Sequence, residues 1–304
     1  FDNYALSQLS RIGALSLLAL SVALLTGAAG LPSLGQVAPF AVGAYVTYRL
    51  AEAEIVVGPV QVAVSALAAT AFSAAVGALI IRARGVVFLM VTLAVGVLTS
   101  QAAGQWKEAT GGTDGTGYIT ASLPYWGADP LVDDAHVYWY VLAVSAVVVL
   151  ATAAALRSAP GTLLRGVRDN ELRMRAGGHR VAGYLLLAYI GAGAIAGVGG
   201  SLYATSQRFV SPSEVGFSLA AMMLVAVLIG GVHSITGALF GVFVVTAVRF
   251  WIAPEGYSDL WLGLLFMTCV YVLPDGVVGG LASIRRRLAK LHVTARFKSP
   301  RIHN

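Results

Sequence analysis

Six stretches of this chain hold no Asp, Glu, Lys or Arg over lengths that reach or exceed a bilayer crossing. They are Ile12–Tyr48, Ile55–Ile81, Gly85–Trp106, Ala135–Leu156, Val181–Gln207 and Val215–Val248. A helical crossing takes about 20 mostly apolar residues. A barrel strand would alternate apolar with polar positions, and these runs do not. Helices satisfy their own backbone hydrogen bonds in lipid, so the runs read as transmembrane helices. Only 11% of the residues are charged, against about 25% in soluble domains. The fold class is therefore all-α, a polytopic integral membrane protein forming a single domain over residues 1–304.

Two runs are too long for one crossing. Ile12–Tyr48 is broken by Gly30, Pro32 and Ser33. It divides into Ile12–Gly30 and Leu34–Tyr48, the second short, carrying Pro39, and expected to be irregular or re-entrant. Val215–Val248 divides at a tight turn, Gly230–Gly237. A last span runs from Leu260 to about Leu273, before Pro274-Asp275-Gly276. The total is about nine crossings. The chain begins without Met or a signal-peptide pattern, so an upstream helix or a fused half is expected before Phe1.

Nine crossings place the loops around Arg82–Arg84, Arg157–Arg180 and Gly230–Gly237 on one side, with the C-terminus. That side holds most of the 20 basic residues. It is therefore expected to be cytoplasmic. The net charge of +6 then reflects topology rather than nucleic-acid binding. The basic tail, residues 282–304, reads as an anchor beside anionic membrane lipid.

No Asp, Glu, Lys, Arg or His lies in the middle of a predicted span; they fall at span ends and in loops. Proton-driven carriers usually bury such groups inside their helices, so that class is disfavoured. No GxxxxGK[ST] loop is present to bind ATP. No GxSxG elbow occurs, the histidines lack metal-ligand spacing, and Cys269 is alone, so the chain reads as neither an enzyme nor a metal site. What remains is polar and uncharged. Ser33, Gln36 and Thr92 are the candidates for lining a solute path, with helix-to-helix hydrogen bonding as the plainer alternative for each. Gly193, Ala196, Gly197 and Gly200 form a small-residue face that predicts a crowded helix contact.

Two loops carry content. In segment 157–180, Thr162–Arg175 reads as an amphipathic helix bearing Arg165, Arg168, Asp169, Asn170 and Glu171. It suits either a cytosolic partner or the lipid headgroup region. In the external loop 107–134, Thr110-Gly111-Gly112-Thr113-Asp114-Gly115 is turn-rich. That loop also carries Tyr118, Tyr125 and Trp126, and acids that could meet a solute-binding protein.

Several segments, taken in order, resemble branched-chain amino acid ABC transporter permeases. Ser33-Leu34-Gly35-Gln36 followed by Pro39–Tyr45 is similar to their "SLGxxxFxxxGAY" stretch. Gly85–Ala94 and Thr110–Gly115 resemble the next two signatures. Arg168-Asp169-Asn170-Glu171 is similar to "R-x-N-E", and Phe209-Val210-Ser211-Pro212 to "FVSP". The long external loop resembles the M-type subunit. The resemblance implies a ten-helix subunit in the cell inner membrane, paired with an H-type permease. Two cytosolic ATPase subunits would bind ATP and Mg, with no cofactor in this chain, and an extracytoplasmic binding protein would deliver a small polar solute. Arg165–Glu171 would be the coupling element. Where the family has small residues after the Glu, this chain has Arg173, Met174 and Arg175, which implies a more acidic ATPase groove. The rival reading is an ATP-independent channel or a sodium-coupled carrier.

Overall fold

The computed structural model describes residues 3–124, 130–131, 133–249, 263–264, 267–268, 271 and 276–277. These residues form helices and no strand beyond one isolated bridge between Val57 and Leu123. The first helix, α1 (Asn3–Ala23), continues as a π-helical turn over Leu24–Ala28. After a break come α2 (Val37–Glu52), α3 (Gly58–Ile80) and α4 (Gly85–Gln105). The short α5 (Lys107–Thr110) follows, then the long α6 (Asp134–Arg157). A helix pair, α7 (Ala159–Asp169) and α8 (Glu171–Ala176), leads into α9 (Val181–Gln207). A hairpin of α10 (Phe217–Gly230) and α11 (Ile235–Ala247) completes the described helices.

Helix α9 is the centre. It packs on α1, α2 and α3. Its small residues make that approach possible, as expected. A Cβ added at Gly193 would lie 1.8 Å from the Ser73 hydroxyl, and one at Gly200 would lie 1.9 Å from the Phe40 carbonyl. Gly43 of α2 meets Gly197 just as closely. Without a hydrophobic drive between helices in lipid, close backbone approach and hydrogen bonds must hold the bundle. Thr47 supplies one such bond set, linking Ser65 at 2.9 Å and Ser201 at 2.8 Å across three helices.

The outer helices turn apolar side chains outward. Val86, Val87, Met90 and Leu98 of α4 are exposed, as are Val147 and Leu150 of α6. Such a surface fits lipid or a neighbouring membrane chain. Among the described residues, five helices are long and apolar enough to cross a membrane, and α10 and α11 are shorter apolar helices.

The loops gather at two ends. Arg84, after α3, pairs with Glu171 at the start of α8. Gly27 at the end of α1 lies against both Arg168 and Val232 of the α10–α11 turn. At the opposite end, Arg49 of α2 reaches Glu108, and the loop after α4 bonds Val210. The loops around Arg82–Arg84, Arg157–Arg180 and Gly230–Gly237 thus meet at one end, while the C-terminus expected beside them lies outside the described residues.

The count of nine crossings is neither met nor contradicted, because most of the last span lies outside the described residues. Three expectations need correction. Helix α1 starts at Asn3, not Ile12, so Arg11 lies within it rather than at a boundary; its guanidinium stacks over the Tyr203 ring at 5.8 Å. Helices α10 and α11 are shorter than the spans read from Val215–Val248, because Gly216 is extended and the Gly230–Ser234 turn occupies the middle. Thr162–Arg175 is two helices, not one. Most of the span Leu260–Leu273, the tail 282–304, and Tyr125, Trp126 and Cys269 lie outside the described residues.

Candidate functional site

The helix pair at the α7–α8 end is built by local chemistry. Pro160 sits in the first turn of α7, where its missing N–H costs nothing. Asn170 is extended, which stops α7, and its side chain accepts from Arg173 N at 2.9 Å, which starts α8. A side chain that bonds its own backbone in this way competes with a continuous helix. The two helices therefore meet at a corner.

The five residues read as the coupling element divide between two faces. Arg168 turns inward. Its Nη1 donates to the Gly27 carbonyl at 2.7 Å, and its stem lies over Gly30. A Cβ at Gly30 would come within 2.8 Å of the Arg168 Cγ, and Gly30 has φ +70°, so only glycine fits there comfortably. Glu171 also turns inward, pairing with Arg84 at 3.1 Å and Arg175 at 2.6 Å. The Arg84 hydrogen bond holds its carboxyl below the usual carboxylate range. Arg165, Asp169 and Asn170 are exposed, together with Arg173 and Leu172, an apolar side chain left 77% exposed. The departure Arg173-Met174-Arg175 acquires a structural account: Met174 packs on Gly166 and Arg175 pairs with Glu171.

Between α1 and α2 the chain is not helical. Leu31 N donates back to Leu25 O at 2.9 Å. Leu34 N donates to the Thr92 hydroxyl at 3.4 Å, about a third of the way along α4, and Thr92 donates to Leu89 O at 2.9 Å. Gly35 lies on the Thr92 backbone, where a Cβ would sit 2.6 Å from its carbonyl. Non-helical backbone beside such a helix is tolerated only when enclosed by protein or lining a cavity. The structure brings Ser33, Gln36 and Thr92 together, and all three are fully buried. Their roles differ. Thr92 is engaged in holding the break, and Ser33 accepts from Gly35 N at 3.2 Å. Gln36 is the N-cap residue of α2, and neither its Oε1 nor its Nε2 has a hydrogen-bond partner.

At the opposite end the glycine run folds into a compact knot. Gly111, Gly112 and Gly115 all have positive φ. Gly115 lies under the Phe209 ring, and Thr116 exchanges hydrogen bonds with Val210. The Thr110–Gly115 and Phe209–Pro212 motifs therefore form one surface. Thr110 is buried within it, while Thr113 and Asp114 are exposed.

Sequence reasoning missed the inward partners. Arg84 counted only as a basic loop residue, and a backbone acceptor such as Gly27 O carries no sequence signal. It also missed the group at the opposite end, where Arg11 and Glu214 lie close to Tyr203.

A sequence profile of the family described as "Branched-chain amino acid transport system / permease component" matches residues 4–273. The chain belongs to this family. It is similar to the high-affinity branched-chain amino acid transport system permease protein LivM of Escherichia coli (strain K12), with 27% identity over 287 residues, covering 86% of this chain and 67% of the relative. The LivM protein of Salmonella typhimurium is 27% identical over 290 residues, with the same shares covered. No solved structure matches the chain significantly. Family membership makes the chain a multi-pass membrane transport subunit rather than an enzyme.

Proposed function

We propose that the chain is the M-type permease subunit of an ATP-binding-cassette importer in the cell inner membrane, with its α7–α8 end and C-terminus cytoplasmic. The cargo is a small polar solute, taken to be a branched-chain or other amino acid or a related acid or amide. LivM, which the chain resembles, is named for branched-chain amino acid transport. The partners are an H-type permease, two ATPase subunits that bind ATP and Mg, and a binding protein that meets the Thr110–Gly115 surface.

One observation carries the reading. The α7–α8 pair presents Arg165, Asp169, Asn170, Leu172 and Arg173 outward, while Arg168 grips Gly27 and Gly30 at the root of the broken segment. An ATPase seated on the outer face can thus move the segment that carries Ser33 and Gln36. Two discrete arrangements of that segment would give alternating access. Ser33, Gln36 and Thr92 are themselves uncharged, so affinity in the path is low and selection rests with the binding protein.

The test is uptake. Cells lacking the chain are compared with cells carrying it, using labelled L-leucine, urea, acetamide and benzoate. Uptake of one solute that requires both the chain and cellular ATP supports the proposal. Uptake unaffected by ATP depletion would assign the chain to the carriers or channels.

A further inference from the structure

Gln36 is a fully buried amide with four hydrogen-bonding positions and no partner for either polar atom. Burying such a group unpaired is unfavourable, and native proteins rarely do so without use. Its position sharpens the question. It occupies the N-cap position of α2, without a side-chain capping bond, at the start of a helix of 16 residues that begins inside the bundle rather than at a membrane surface. Helix N-termini carry partial positive charge and unpaired N–H groups. In α2 the inventory is short: Ala38 N donates to Gly35 O, and Pro39 has no N–H. The first-turn donors left for a ligand are those of Gln36 and Val37.

We infer that the α2 N-terminus and the Gln36 amide form the solute subsite of the path, and that it reads the solute's carboxylate. The Gln36 Nε2 and the first-turn N–H groups donate to the carboxylate oxygens. The same partial charge repels a cation, so an ammonium group or a metal ion is not held there. With no basic side chain at hand, binding is weak, which suits a site that must release its cargo. Ser33 and Thr92 act as positioning residues that shape the break. Gln36 is enclosed in this conformation, so entry requires the 30–36 segment to shift. Arg168, through Gly30, supplies the connection for that shift.

The inference rests on the permease reading and narrows it to carboxylate solutes over amides such as urea. The experiment is saturation-transfer difference NMR on the transporter complex purified from its own membranes into nanodiscs, without binding protein. Two probe pairs are used: L-leucine with L-leucinamide, and isovalerate with isovaleramide. In the wild type the two acids receive saturation and the two amides do not. Gln36→Met, similar in volume, lowers the acid signals roughly tenfold while its Tm stays level or rises, because removing an unpaired buried amide costs no hydrogen bond. Gln36→Asn keeps part of the acid preference. Equal binding of acids and amides, acid signals surviving Gln36→Met, or no acid signal in the wild type would each overturn the inference. A lower Tm for Gln36→Met would also overturn it, since the amide would then be a structural partner. Failure of the importer reading looks different: wild-type liposomes take up no solute on ATP addition, while acid binding still depends on Gln36.

Discussion

Replacing Arg168 with alanine separates movement from docking. The substitution removes the Nη1 bond to Gly27 O at 2.7 Å and the stem contact over Gly30. A hydrogen bond from a charged donor contributes about 1.5–3 kcal/mol net. The companion pair with Asp169 adds little, because that carboxylate is 65% exposed. A loss of about 1.5–3 kcal/mol corresponds to roughly a 10- to 150-fold shift in any equilibrium between gripped and released states. The assay is solute transported per ATP hydrolysed in proteoliposomes holding the complete complex. Because Arg168 faces inward, the ATPase subunits should still co-purify and hydrolyse ATP, while the ratio falls roughly tenfold or more. Losing the ATPase subunits, or keeping the wild-type ratio, would refute the assignment of Arg168 to the inner face.

Leu172→Asp should do the reverse, abolishing co-purification of the ATPase subunits while the permease keeps its thermal stability. The Arg84–Glu171 tie should weaken in acid. Its carboxyl titrates below the usual range, so the stabilisation is present above the ordinary carboxylate value and is lost as pH falls through the lowered one. The protection of residues 159–176 against hydrogen exchange, taken relative to the intrinsic rate at each pH, should therefore fall in acid for the wild type, with Glu171→Gln poorly protected at every pH. Gly200→Val should sharply reduce folded protein in the membrane, since even a Cβ there lies 1.9 Å from a backbone carbonyl, and overpacking of this kind costs about 1–3 kcal/mol or more. Gly115→Ala, at φ +84° beneath Phe209, should open the outer knot to proteases and blunt stimulation by a binding protein.

The long helices were readable because lipid admits few alternatives: a charge-free run of sufficient length becomes a helix. The break at Gly30–Ser33 and the crowded face at Gly193–Gly200 were readable for related reasons, since proline and glycine punctuate helices and small residues admit neighbours. Arg11 deceived the reading because a long side chain inside a helix can reach a ring on α9, which no charge count anticipates. The single helix expected from Thr162–Arg175 failed at Asn170, where a side-chain bond to Arg173 N overrode the apolar periodicity. Arg168 and Glu171 were singled out by motif, but their inward direction depends on Gly27 and Arg84, which are far away in sequence. The group of Ser33, Gln36 and Thr92 was suggested by polarity alone; only the fold could separate the two engaged side chains from the unpaired one.

The most direct measurement of the central claim is the composition and activity of what a tagged copy of this chain brings out of its native membranes. The account predicts a second permease and two ATPase subunits, with ATP hydrolysis that a solute-loaded binding protein accelerates. A chain that purifies alone and conducts solute in liposomes without ATP would contradict it.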